Sequence, residues 1–256
     1  MLQQEQLDRV CVVLVRARNP NNIGAVARAM YDFGFHDLRL ASEYPVPLAE
    51  ARSAIDASEI LAGAKEFASV GEAVADCNLV IGTTAGGKRV QEHPMYPVGE
   101  GCSRARAHLA TPGSRIAILF GSEKTGLSRD ELSYCHWTMT IPMYRREGRR
   151  HPSMNLGQAA AVCLYELVHR EEGAVELEHP PAPSNAALSE ELDRFTELLN
   201  ELLDASGYHH RHPAGKDAAS LRRLVRRMRF QQADAATWMG ILRQALWKIR
   251  RNDTSS

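Results

Sequence analysis

The sequence is poor in cysteine and aromatic residues, carries no net charge, and has no long apolar run. Its five cysteines, Cys11, Cys77, Cys102, Cys135 and Cys163, are widely spaced and include no CxxC pair. An odd, dispersed set argues against both a disulfide framework and a zinc site, and fits a reducing compartment. No apolar run approaches the roughly 20 residues that span a bilayer, so no membrane association is expected. The stretch Met1 to Arg9 is polar and lacks the basic-then-apolar order of a secretion signal, which makes the cytoplasm the expected location. One histidine cluster, His209, His210 and His212, offers too few ligands for a metal and reads as a polar loop. No metal is expected.

The zero net charge hides an asymmetry. Ala187 to Ala205 holds six acidic residues against one basic residue, whereas Lys216 to Arg251 holds ten basic against two acidic. The second stretch includes Arg222, Arg223, Arg226 and Arg227, and a separate cluster, Arg145, Arg146, Arg149 and Arg150, lies mid-chain. Clustered arginine is a phosphate-binding footprint even in a neutral protein, so these eight are the candidate contacts to a nucleic-acid backbone. A solvated helix face is the alternative reading of the C-terminal run.

Val10 to Val15 is a continuous apolar run of strand length, the pattern of a strand buried on both faces of a parallel sheet. The turn-rich Arg18–Asn22 follows, then a helix from Ile23 to Phe33 with Gly34 as its stop. Further strands are predicted at Leu38–Leu40, Leu79–Gly82, Ile116–Phe120 and Thr138–Ile141, with helices between several of them. That alternation gives an α/β fold with a parallel sheet over residues 1–172. A Pro-rich linker is expected over 173–187 and a small all-α C-terminal extension over 188–256. Within the extension, Trp238, Ile241, Leu242, Ala245 and Ile249 recur at helical spacing and read as a core-facing stripe.

Three short motifs carry the chemistry. Asn22-Ile23-Gly24-Ala25-Val26-Ala27-Arg28 follows the first strand; Asn22 is suited to cap the helix, and Gly24 to let another segment approach closely. Gly121-Ser122-Glu123-Lys124-Thr125-Gly126-Leu127-Ser128 ends a strand in a two-glycine turn, with Ser128 and Glu131 forming a capping box. Carboxyl ends of parallel strands are where such sheets bind ligands, but the Gly-Lys-Ser/Thr order of a phosphate loop is absent. The third motif is Ile141-Pro142-Met143, then the basic segment, then Ser153-Met154-Asn155-Leu156, with Ser153 expected to cap a helix running to about Arg170. Each alone has an ordinary capping explanation; the order of all three is the specific signal.

That ordered set resembles the SpoU (TrmH) branch of the SPOUT methyltransferases, over roughly residues 10–170. The resemblance implies a deep trefoil knot formed from about Ile116 to Leu167, an S-adenosylmethionine cofactor and an obligate homodimer. By the same resemblance the cofactor meets Thr83, Thr84, Ala85, Gly121, Ile141, Ser153, Met154 and Asn155. Arg28 stands closest to the chemistry, supported by Asn22, Glu123, Ser153 and Asn155. The implied reaction is in-line attack of a ribose 2′-hydroxyl on the cofactor's methyl group, in RNA. Arg28 either accepts the proton or positions a substrate phosphate; a guanidinium that stays protonated favours positioning. Two features depart from the family pattern: Met154 replaces a leucine, and the Tyr144–Pro152 segment is longer and more basic.

The helical C-terminal extension, with Leu221-Arg222-Arg223-Leu224 and Gly240-Ile241-Leu242-Arg243-Gln244, is similar to that of the TrmJ group. That implies tRNA as substrate, at the anticodon-loop ribose of nucleotide 32, cytidine or uridine. The first strand begins within ten residues of Met1, where rRNA-modifying relatives carry an extra RNA-binding domain. An rRNA 2′-O-methyltransferase of the same fold and a non-catalytic RNA-binding dimer are the alternatives.

Overall fold

The computed structural model describes residues 1–44, 57–86, 92–144, 154–169 and 185–253. The basic segment Arg145–Arg150, Ser153 and most of the expected linker lie outside them.

In chain order the elements are α1 (Gln4–Leu7), β1 (Val10–Val15), α2 (Pro20–Asp32), β2 (Asp37–Ala41), α3 (Ser58–Ala62), β3 (Lys65–Phe67), α4 (Val70–Ala73) and β4 (Leu79–Thr83). They continue with β5 (Met95–Pro97), α5 (Val98–Leu109), β6 (Ile116–Phe120), α6 (Arg129–Ser133), β7 (Trp137–Thr140) and α7 (Leu156–Val168). The C-terminal part holds α8 (Ser189–Ala205), α9 (Tyr208–Arg211), a 3₁₀ turn (Pro213–Lys216), α10 (Ala218–Arg227) and α11 (Gln232–Asp253).

The strands form one seven-stranded sheet in the order β3-β2-β1-β6-β4-β7-β5, and every pairing is parallel. Period-two alternation then divides the core into two layers. Val10, Val12 and Leu14 of β1 join Ile116, Ile118 and Phe120 of β6 against α2, α5 and α7. Cys11, Val13, Ala117 and Leu119 face the other way, towards Val70, Leu127 and Cys135. All six residues of β1 are buried, which is why its sequence does not alternate. The helices α2 and α7 pack closely; a Cβ added at Gly157 would lie 2.5 Å from the Ala25 Cβ.

Two capping expectations are corrected. The N-cap of α2 is Asn19, whose side chain accepts from the Asn21 N–H, with Pro20 in the first turn. Proline has no N–H to satisfy and its φ suits that position, so the helix starts earlier and Asn22 is released from capping. Likewise α7 is capped by Asn155, whose Oδ1 accepts from Gly157 N at 2.9 Å and Gln158 N at 3.4 Å. The histidine cluster is only in part a loop: His209 and His210 lie in α9, His209 is buried with its Nε2 3.1 Å from Asn200 Oδ1, and His212 follows the helix.

The C-terminal helices gather Leu192, Phe195, Val225, Ala235 and Leu242 into a third cluster. The stripe expected on α11 is rotated: Ala235, Leu242 and Leu246 face inward, while Trp238 and Ile241 are 48% and 51% exposed. Ser189 N donates to Cys77 O at 2.9 Å and Glu190 N to Ala75 O at 3.1 Å, so the chain after α4 satisfies N–H groups at the start of α8. Three of the four C-terminal arginines expected to meet RNA are turned into this seam. Arg226 is buried, with Nη2 2.9 Å from Asp193 Oδ1 and Nε donating to Tyr134 O. Arg222 lies over the Tyr134 ring and pairs with Asp130 at 3.1 Å; Arg223 is buried and pairs with Glu92 at 3.2 Å. Only Arg227 of the four is exposed. Truncating Arg226 leaves Asp193 with only a 4.0 Å contact to Arg222 and opens the seam, so Arg226→Ala should lower unfolding stability by about 3 kcal/mol in urea titration; a midpoint equal to wild type would show that the Arg226–Asp193 pair contributes nothing.

Two buried histidines make stability depend on pH. Burial, then the charges of Arg226 and His108, pushes His136 down to about 3, and its Nδ1 accepts from Val80 N at 3.0 Å. Burial and the Arg9 charge push His108 down to about 4. In the unfolded chain both protonate near pH 6.5, so between that pH and their folded values the unfolded state binds more protons. Their contribution is complete above pH 7 and is lost as pH falls, by about 1.4 kcal/mol per pH unit for each histidine between roughly pH 6 and 4. Urea midpoints measured from pH 7.5 to 5 should fall through that window and stay flat above it.

Candidate active site

In the sheet, β6, β4 and β7 are neighbours. Their carboxyl ends therefore release three loops side by side, and the approach to α7 crosses the same end. Between them lies a cavity of about 610 Å³, a volume suited to a nucleoside-sized ligand. Thr83, Thr84 and Ala85 line it after β4, Phe120 to Leu127 after β6, and Met139, Ile141 and Met143 along and after β7. Met154, Leu156, Ala159 and Cys163 close it from α7 and its approach, with Leu132 from α6. The lining combines apolar side chains with the backbone of small residues. Burial pushes the Cys163 thiol up to about 12, so it lines the cavity as a neutral wall and not as a nucleophile.

The β6 loop folds back on itself. Gly126 N donates to Ser122 O at 2.8 Å, and Gly126 adopts a φ of +67°, in the left-handed region that favours glycine. Gly121 is required for a different reason: a Cβ there would lie 2.2 Å from both the Gly126 carbonyl carbon and the Leu127 nitrogen.

At the edge of the cavity the three motifs meet through side chains. Asn155 Nδ2 donates to Asn22 Oδ1 at 2.9 Å, and Asn22 Nδ2 donates to Glu123 Oε1 at 2.9 Å. The chain is directional: each amide gives one hydrogen and the carboxylate ends the sequence as acceptor. Residues 101 and 133 positions apart are thus fixed by two hydrogen bonds. Because Asn155 also caps α7, the relay is anchored at one end by a helix and at the other by the cavity loop.

Of the residues expected to touch cofactor, Thr83, Thr84, Ala85, Gly121, Ile141 and Met154 line the cavity. Asn155 lies beside it in the relay, and Ser153 is outside the described residues. Arg28 does not line the cavity. It sits on the outer side of α2, with Nε 3.1 Å from Asp32 Oδ1 and its guanidinium over the Tyr31 ring. Sequence reasoning missed Met143, Leu127 and the buttress formed by Arg16 and Glu131. Met143 belongs to the Ile-Pro-Met segment and Leu127 to the glycine loop, so both were within reach of the motifs. Among the described residues, no group of three or more His, Cys, Asp or Glu is arranged to hold a metal, and no helix is long and apolar enough to cross a membrane.

Residues 9–165 match the SpoU rRNA Methylase family. The tRNA (cytidine/uridine-2'-O-)-methyltransferase TrmJ of Yersinia enterocolitica is 31% identical over 255 residues, covering 96% of this chain and 93% of the relative. The protein of the same name from Pectobacterium atrosepticum is 31% identical over 242 residues, covering 92% and 96%. Among solved structures, TrmJ from Z. mobilis ZM4 superposes with a TM-score of 0.74 at 29% identity, covering 91% of this chain and 97% of that one.

Proposed function

The chain belongs to the SpoU methylase family, and from that premise we propose that it transfers a methyl group from S-adenosylmethionine to a ribose 2′-hydroxyl of tRNA. The nucleotide is a cytidine or uridine, in keeping with the names of its relatives, and we place it at position 32 of the anticodon loop, a single-stranded loop in which a 2′-hydroxyl is accessible. The observation that carries the reading is the Asn155–Asn22–Glu123 relay at the rim of the cavity. It joins the three motifs at one place, which core packing does not require.

The residues present suit S-adenosylmethionine. Apolar Phe120, Leu127, Ile141 and Met154 can enclose a purine, and backbone groups of Thr84, Ala85 and Gly121 can read its edge without charged side chains. When bound, the cofactor supplies an electrophilic methyl group that needs no further activation. The protein's task is to orient the hydroxyl and remove its proton. Asn22 and Asn155 hold Glu123 at the rim, and the family resemblance assigns Ser153 a supporting role in the reaction. Arg28, protonated at all working pH values, positions a substrate phosphate.

The working unit is a homodimer. Tyr31 of α2, whose ring lies under the Arg28 guanidinium, and Tyr165 of α7 are 51% and 49% exposed. Pairing through α2 and α7 covers both tyrosines and brings Arg28 into an intermolecular site. The passage from β6 to α7 forms the trefoil knot, and the protein works in the cytoplasm. Residues 188–256 act as an RNA-binding extension, using exposed Arg227 together with Arg145, Arg146, Arg149 and Arg150 of the mid-chain segment.

Primer extension at low deoxynucleotide concentration, on tRNA and rRNA from a strain deleted for this protein, tests the reading. A stop at tRNA position 32 should vanish on deletion and return with the wild-type chain. Loss of an rRNA stop instead would assign the enzyme to ribosomal RNA.

A further inference from the structure

The loop between β6 and α6 is held from two sides, by Arg16 directly after β1 and by Asn22 in the first turn of α2. One hold is the Asn22–Glu123 hydrogen bond already described. The other is Arg16, directly after β1, whose Nε and Nη2 make a bidentate pair with Glu131, the second contact at 2.9 Å. Its Nη2 also donates to Gly126 O at 3.1 Å. Glu131 in turn accepts from Ser128 N, so the pair ties together the last residues of the loop and the first turn of α6.

Burial alone would raise the Glu131 carboxyl, yet Arg16 and the Ser128 N–H outweigh it and hold the group below the usual carboxylate range. Arg16 itself has a φ of 55°, a left-handed conformation that side chains other than glycine rarely adopt. Its backbone is pinned there by Arg16 N donating to Ala41 O at 2.9 Å. Arg16 lines no part of the cavity. A strained backbone with a planar fork aimed at a ligand loop is the arrangement expected where geometry, not bulk stability, is being maintained.

We propose that Arg16 is a positioning residue of the methyltransferase, which sets the affinity for S-adenosylmethionine by clamping the Gly121–Leu127 loop through Glu131 and the Gly126 carbonyl. The proposal rests on the reading that this cavity takes S-adenosylmethionine. Losing the clamp frees the loop to sample positions in which Gly121 and Leu127 no longer meet the ligand. Binding then weakens by the cost of reordering the loop, while the step at the methyl group is unchanged once the ligand is held.

The test uses calorimetric titration of the full chain with S-adenosylmethionine, and initial rates on tRNA, for wild type, Arg16→Met, Arg16→Lys, Arg16→Gly and Glu131→Gln. Arg16→Met should raise Kd and KM for S-adenosylmethionine about tenfold, the scale of one charge-assisted hydrogen-bonded pair, with kcat within about twofold. Arg16→Lys should recover part of the loss. Arg16→Gly separates positioning from folding: it relieves the left-handed strain, so Tm should not fall, yet the affinity should drop as in Arg16→Met. The double variant Arg16→Met/Glu131→Gln should lose less affinity than the two single losses combined, since the Arg16–Glu131 pair is shared between them. Wild-type affinity in Arg16→Met and Arg16→Gly, or additive losses in the double variant, overturns the clamp. Failure of the wild-type chain itself to bind S-adenosylmethionine overturns the underlying reading of the cavity, a distinguishable result.

Discussion

Replacing Gly121 by alanine is expected to weaken S-adenosylmethionine binding by roughly 100-fold or more while leaving the sheet folded. The reason is steric. The new methyl carbon would lie 2.2 Å from the Gly126 carbonyl carbon and the Leu127 nitrogen, and 2.7 Å from the Gly126 oxygen. All three are backbone atoms, so no rotamer change relieves the clash. The returning arm of the loop must move outward by an ångström or more, and displacements of about 1 Å in a binding constellation cost on the order of 10²-fold. That arm is also where Arg16 and the α6 cap hold the loop, so the shift carries into Glu131 and Leu132. β6 ends at Phe120, and its pairing with β1 and β4 lies below the clash. Calorimetry and far-ultraviolet circular dichroism on Gly121→Ala separate the two effects. A Kd within about threefold of wild type would remove this loop from the cofactor site.

Arg28→Ala is expected to do the opposite: methyl transfer falls by roughly 10²-fold or more, the scale of a lost substrate-positioning contact, and S-adenosylmethionine affinity stays near wild type. Arg28 lies outside the cavity, so its loss leaves the lining intact. Its ion pair with Asp32 is between half-exposed side chains one helical turn apart, worth at most about 0.5 kcal/mol. Stability should therefore be nearly unchanged, and the effect on turnover reports function alone. Arg28→Lys sharpens the assignment. Lysine keeps the charge but loses the planar fork that pairs with phosphate oxygens, so partial activity fits a positioning role. Wild-type turnover in Arg28→Ala would remove Arg28 from the chemistry.

The two variants together separate the proposed halves of the site: loss of cofactor affinity is expected from Gly121→Ala, and loss of turnover alone from Arg28→Ala. Their contrast also locates the cofactor independently of any RNA.

Much of the fold is legible in the sequence. The buried strands announce themselves as unbroken apolar runs, and Ile116–Phe120 was predicted residue for residue. The edge strands β3 and β5 were not found, because Lys-Glu-Phe and Met-Tyr-Pro are three residues long and half exposed, with no run to detect. The motifs pointed to the right end of the sheet, and the Ser128–Glu131 capping box forms as expected, but the caps assigned to Asn22 and Ser153 belong to Asn19 and Asn155. Pro20 moves the start of α2 back to Asn19, and only then is Asn22 available to bridge Asn155 and Glu123.

Charge was the least readable signal. Arg222, Arg223 and Arg226 look like a phosphate-binding run, yet their partners, Asp130, Glu92 and Asp193, are scattered across the chain and meet only after folding. The same holds for Arg16 and Glu131, separated by 115 residues. For α11, helical spacing identified an apolar stripe correctly as a pattern, but not which side of it the neighbouring α8 would cover. Trp238 and Ile241 remain outside for that reason.

The most direct test of the account is methyl transfer itself. The purified full chain is incubated with methyl-labelled S-adenosylmethionine and unmodified tRNA, and the RNA is digested to nucleosides and mapped. The expected result is label in 2′-O-methylcytidine or 2′-O-methyluridine from position 32, lost in Arg28→Ala and strongly reduced in Gly121→Ala at limiting cofactor. Label on a base rather than a ribose, or no transfer to RNA by a chain that binds S-adenosylmethionine, would contradict it.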